Sequence, residues 1–189
     1  MSAHGHGHID PSNRNVALLI AVLAAVLAFS ETLGKGAQTA ALSLNIEAAN
    51  LWSFFQAKTI RMTTLRTAAE SLEVEAAQMP NTAVRAALEK RIAEWRKTIA
   101  RYESEPETQE GRKELAERAK TAEEQRNRTL AAYHQYEIGS AALQIAIVLA
   151  SATVITNVGF LLWGAAGLGA VGLIFCLIGL FAPTAIHFI

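Results

Sequence analysis

One hydrophobic register runs from Val16 to Met79 without a slip. Alternating steps of four and three residues pass through Val16, Ile20, Leu23, Leu27, Ser30, Gly34, Ala37, Ala41 and Leu44. The same steps continue through Ala48, Leu51, Phe55, Lys58, Met62, Leu65, Ala69, Leu72, Ala76 and Met79. Only Ser30 and Lys58 on this path carry a polar side chain. A repeat of about 3.5 residues keeps one seam on one side of a helix and requires a partner helix along it. The segment Val16 to Phe29 contains no polar residue at all. A membrane span is therefore expected to grow directly into a soluble coiled-coil arm.

Charge is segregated in the same sense. None of the 34 charged side chains (17 basic and 17 acidic) lies beyond Glu137, and only Asp10 and Arg14 precede Val16. Between Glu31 and Glu137 the two signs are interspersed. Mixed charge of that kind solvates helix faces and forms i to i+4 pairs rather than a phosphate-binding patch, so nucleic acid is not an expected partner. The single Cys176 excludes an intramolecular disulfide framework and a cysteine metal site, and its apolar setting reads as packing rather than reactivity.

A bilayer core needs about 20 apolar residues as helix. Residues 15–33, 138–156 and 158–182 are the candidate spans. The second and third are separated by a tight turn around Thr156-Asn157-Val158-Gly159 and form an expected transmembrane hairpin. The first span has a rival reading as a cleaved signal peptide, with Ala28-Phe29-Ser30 as the cleavage site, but the register continues straight through it. Residues 1–14 read as a disordered tail containing histidines, and 183–189 as a short tail.

Residues 34–137 form the expected soluble arm. Met79-Pro80-Asn81 breaks the long helix, and Ser104-Glu105-Pro106-Glu107-Thr108 introduces a kink. Lys35 to Met79 would rise about 66 Å, and Thr82 to Glu137 would return about 80 Å if wholly helical, so the two limbs nearly match. The expected fold class is an all-α membrane protein: three transmembrane helices with a long antiparallel coiled-coil hairpin, tip near 80–81, inserted between the first and second. A bend at Gly34-Lys35-Gly36, laying Trp52, Phe54 and Phe55 on the membrane, is the competing arrangement. Lys35, Lys120, Arg126 and Arg128 lie near the membrane on the arm side, against Arg14 on the other. The arm is thus expected in the cytoplasm and the N-terminus outside.

Few residues suggest chemistry. His4, His6 and His8 alternate with glycine and could chelate copper, nickel or zinc, although a disordered polar tail explains them more simply. Glu31 and Gln144 are candidates for an intramembrane polar pair, either structural or lining an ion path with Ser140 and Thr153. Two stripes of small residues allow close helix packing in lipid: Ala17, Ala21, Ala24 and Ala28 in the first span, and Ala165, Gly169, Gly172, Cys176 and Gly179 in the third. Trp52, Trp95, Tyr133 and Tyr136 read as seam and interface residues. No phosphate loop, zinc-protease helix or nucleophile elbow occurs in the sequence, and neither an enzymatic activity nor a cofactor is expected.

The stretch Asn15-Val-Ala-Leu-Leu-Ile-Ala-Val-Leu-Ala-Ala-Val-Leu-Ala, with Ser30-Glu31-Thr32, Asn50-Leu51-Trp52 and Gln56-Ala57-Lys58, resembles a bacterial membrane-protein family catalogued as a domain of unknown function. The resemblance extends over most of the chain. It implies a bacterial inner-membrane location and supplies no activity or catalytic residues. The leading expectation is a non-enzymatic multi-pass membrane scaffold that contacts lipid, self-associates and offers its arm to a protein partner. A channel or transporter subunit and a metal-responsive protein are the alternatives.

Overall fold

The computed structural model describes residues 11–186, which form four helices and no strand among the described residues. These are α1 (Pro11–Gln78), α2 (Thr82–Glu103), α3 (Arg112–Thr156) and α4 (Gly159–Phe181). The helices α1, α3 and α4 are each long and apolar enough to cross a membrane, whereas α2 is not. The histidines His4, His6 and His8 lie outside the described residues.

Local chemistry fixes the helix ends. α1 is described from Pro11, ahead of the 15–33 span. The helix runs 68 residues through Gly34 and Gly36 with no break, and stops just before Met79-Pro80. Asn81 caps α2: its Oδ1 accepts from the backbone N–H groups of Ala83 (3.0 Å) and Val84 (3.3 Å). Between α3 and α4, Asn157 adopts φ 53°, a left-handed geometry that asparagine tolerates better than most residues.

Every buried residue of α1, from Val16 to Ala76, lies on the 3.5-residue register. The chain divides into two compact units, with α1 and α3 contributing to both. In the first unit, comprising residues through Leu42 and from Arg126 onward, Val16 packs with Ala150 and Ala165, and Leu23 with Leu143 and Ala146. In the second, Ser43–Gln125, Leu51 meets Leu115 and Ala119, while Ala69 and Ala76 meet Ile92 with Leu72, Leu88 and Trp95 around them. Within this second unit α1 therefore partners α2 toward its C-terminal end and α3 further back.

A charged knot closes the α2–α3 connection. Lys58 is 5% exposed, and its Nζ lies 3.7 Å from Glu105 and 3.9 Å from Glu110, with the Phe54 and Tyr102 rings 5.2 and 5.3 Å away. The flanking carboxylates and ring faces offset the cost of removing an ammonium from water. Glu114 accepts from the Ser104 hydroxyl (2.6 Å) and the Glu105 N–H (3.2 Å), and the Ser104 hydrogen bond foremost holds its carboxyl below the ordinary carboxylate pKa. Gly111 sits so close to this carboxylate and to the Ser104–Glu105 backbone that any Cβ would collide. The sequence break at 104–108 is thus a tied loop reaching Gly111.

Candidate functional site

The polar centre of the first unit is built on Ser30, the exception in the apolar part of the register. It is 1% exposed, and its hydroxyl donates to the Tyr136 carbonyl (3.2 Å). Ser140 Oγ donates to Ser30 Oγ at 2.9 Å, and Cys176 Sγ lies within bonding distance at 3.2 Å. One hydroxyl thereby ties α1 to both α3 and α4. A carbonyl acceptor and two side-chain donors satisfy it, the geometry of a structural latch rather than of an activated nucleophile.

The latch depends on close backbone approach. A methyl group on Gly139 would stand 2.9 Å from Cys176 Sγ and 3.0 Å from the Gly172 carbonyl oxygen. One on Gly172 would meet Leu143 Cγ at 2.7 Å and the Gly139 oxygen at 2.9 Å. Gly169 faces Leu23, and Gly179 faces Tyr136 and Gln135. Ala165, Gly169, Gly172 and Gly179 are all buried, so the α4 stripe, including the half-buried Cys176, is used inside the protomer. In contrast Ala17, Ala21, Ala24 and Ala28 on α1 are exposed.

Beside the latch, α1 and α3 frame a groove of about 410 Å³. Glu31, Lys35, Gln38, Tyr133, Glu137 and Gln144 supply its polar rim, with Ser30 and Ser140 at its wall. Gln144 Nε2 donates to Glu31 Oε1 at 3.3 Å across the two helices, and both residues are exposed. The structure thus brings Glu31 and Gln144 together, while Thr153 lies elsewhere, beside a second groove with Asn15 and Asn157. Among the described residues no cluster of three or more His, Cys, Asp or Glu side chains is arranged to hold a metal ion.

The sequence marks Ser30 as a polar interruption of the seam and as part of the rival cleavage site, but not as a link between helices. The signal that could have identified the latch is a hydroxyl at a seam position, which requires a polar partner from a facing helix. Ser140 and Cys176 stood in separate apolar segments, and nothing local linked them to Ser30.

The chain belongs to the family described as Domain of unknown function (DUF4337), whose sequence profile matches residues 12–182. No curated protein and no solved structure shows significant similarity to it.

Proposed function

We propose that this DUF4337 protein is a non-enzymatic, multi-pass membrane scaffold that self-associates and offers its charged helical unit to a protein partner. One observation carries the reading: along its apolar helices the first unit exposes large apolar side chains while it buries several polar ones. Leu18, Phe29, Phe160, Trp163 and Phe181 are 65–82% exposed, whereas Ser30, Gln135 and Ser140 are buried. Water would penalise such an exterior, and lipid would not. The packing inside this unit is also that of a membrane bundle, with glycines at crossings and hydroxyls joining helices.

The charge bias around Lys35, Lys120, Arg126 and Arg128 supports a cytoplasmic charged unit, an external N-terminus and an inner-membrane location. The expected coiled-coil arm, residues 34–137, includes in this proposal the whole Ser43–Gln125 unit. Imaging of particles purified in lipid nanodiscs tests the scaffold. A discrete assembly of several copies without a central water path is the supporting result, and a monomer at all concentrations would overturn self-association.

The Glu31–Gln144 pair favours a second reading, an oligomeric channel or transporter subunit with these residues facing a lumen. Ion flux into proteoliposomes, abolished by Glu31→Gln, would replace the scaffold with this alternative.

A further inference from the structure

The exposed face of α1 in the Ser43–Gln125 unit differs from the outer faces of its neighbours. Ile46, Ser53, Ile60, Thr67 and Val74 recur every seven residues, opposite the buried seam, and all are exposed. Ile46, Ile60 and Val74 are 61%, 67% and 61% exposed. The residues between them on the same face, at 50, 57, 64, 71 and 78, are exposed and uncharged as well. Outward positions of a solvated coiled coil ordinarily carry charges of both signs. The outer faces of α2 and α3 obey that rule, with Arg85, Lys90, Arg96, Lys113, Lys120 and Glu124 exposed. α1 does not. Its charges sit instead at the flanks, as in Glu47, Arg61 and Glu75.

We infer that this face is a second coiled-coil seam, and that a second copy of this chain docks on it, α1 against α1 in parallel. The proposal rests on the membrane and self-association reading above and names the surface through which the soluble unit associates. Three features select the occupant. The face has no charge to oppose itself, so two identical faces meet without like-charge repulsion. Its seven-residue period needs a helix of equal period and length, and among the described helices of the soluble unit α2 and α3 are shorter and heavily charged. The same four-three spacing read upstream passes through Ser43, Thr39, Gly36, Thr32 and Phe29 without meeting a charge. A partner rooted in the same membrane with the same change from apolar to polar positions is another copy, and a common membrane orientation makes the pairing parallel.

Burying two of the hydroxyls on this face, those of Ser53 and Thr64, is inexpensive because they already bond their own helix. Ser53 Oγ donates to the Ala49 carbonyl (2.8 Å) and Thr64 Oγ1 to that of Ile60 (3.0 Å). In the parallel pair Asn50 meets its own copy, and an asparagine at a seam position restricts register and copy number.

Single cysteines introduced at Ser53, Ile60 and Thr67 in the full-length Cys176→Ser protein, oxidised in its native membranes, test the seam. Facing Cα atoms in such a pair fall within the reach of a disulfide, about 4.4–6.8 Å. Covalent dimer is expected at all three positions, at least ten-fold above a cysteine replacing Lys90 on α2. An independent variant, Ile46→Lys with Ile60→Lys, alters only exposed positions and is expected to raise the dissociation constant in nanodiscs at least ten-fold. Oligomeric particles without cross-links at the three positions would overturn the α1 seam and leave self-association standing. A monomer in lipid would remove both. Cross-linking to a different protein would overturn the second copy as occupant, and unchanged assembly in the double-lysine variant would overturn the face.

Discussion

The two units are organised by the same register on α1 but held by different physics. In the unit containing Ser30, buried glycines and a hydroxyl latch stand beside the apolar contacts of Val16, Leu23 and Leu143, and many other large apolar side chains are exposed. In the Ser43–Gln125 unit, Leu51, Met62, Ile92 and Leu115 are buried among alanines, with Trp52, Phe55 and Trp95 half-buried around them, and charges cover α2 and α3. The difference follows from the proposed surroundings. Where lipid is the solvent, apolar burial gives no advantage and helices associate through contact and hydrogen bonding, so small residues belong inside. Where water is the solvent, burying apolar area is the main favourable term, about 25 cal/mol per Å², so apolar residues belong inside and charges outside. The period of the seam is indifferent to the solvent. What the helices expose is not.

The sharpest way to break this comparison is to enlarge an interior glycine. Gly172→Leu would force its side chain into the Gly139 carbonyl and Leu143. A destabilisation of about 3 kcal/mol is expected, at the upper end of overpacking. Gly167→Leu, with nothing within 4 Å of its added Cβ, should change stability by less than about 0.5 kcal/mol. Unfolding of the full-length protein in mixed micelles compares them, and equal effects would deny that the α4 stripe packs inside the chain.

In the second unit the corresponding lever is Lys58. Lys58→Ala removes a buried side chain and leaves Glu105 and Glu110 without their shared cation, at an expected cost of about 2 kcal/mol. The figure is kept modest because those carboxylates are 20% and 51% exposed and Glu105 also has Arg101 at 3.4 Å. Glu110→Gln should cost under about 0.5 kcal/mol. Denaturant melts followed by Trp fluorescence read both, and a reversed ranking would place the charge knot elsewhere.

All-helical architecture and the three apolar helices were legible in the sequence, because period and segment hydropathy are local properties. The two polar residues of the seam were visible too, but their partners were not. Ser30 meets Ser140 and Cys176, and Lys58 meets Glu105 and Glu110, across sequence separations that only tertiary packing closes. Likewise, spacing alone gave two small-residue stripes equal standing. The positions of Leu23 and Leu143 against Gly169 and Gly172 decide that the α4 stripe is internal, while the alanines of α1 remain exposed. Glu31 and Gln144 could be singled out one by one as polar intruders, and the α1–α3 crossing joins them.

A smaller effect sharpens the picture of the α2–α3 loop. Glu114 has a lowered pKa in the folded chain, so its hydrogen bonds contribute stability that is complete above its ordinary pKa and is lost as pH falls through the lowered value. Amide exchange at Ser104–Gly111, taken relative to its intrinsic rate at each pH, should therefore accelerate as pH falls through the lowered value. Ser104→Ala, which removes the main cause of the shift, should move that acceleration to higher pH. Exchange independent of Ser104 would detach Glu114 from the loop.

The central claim is that the apolar helical stretches of the first unit are solvated by lipid and the second unit by water. Nitroxide labels at single cysteines in the Cys176→Ser protein, reconstituted in liposomes, test it through collisions with oxygen and with a water-soluble nickel complex. Labels at Leu18, Phe29 and Trp163 should collide with oxygen and be shielded from nickel, and labels at Glu47, Arg85 and Lys113 should show the reverse. Nickel access at Leu18 and Trp163 equal to that at Arg85 would contradict the account.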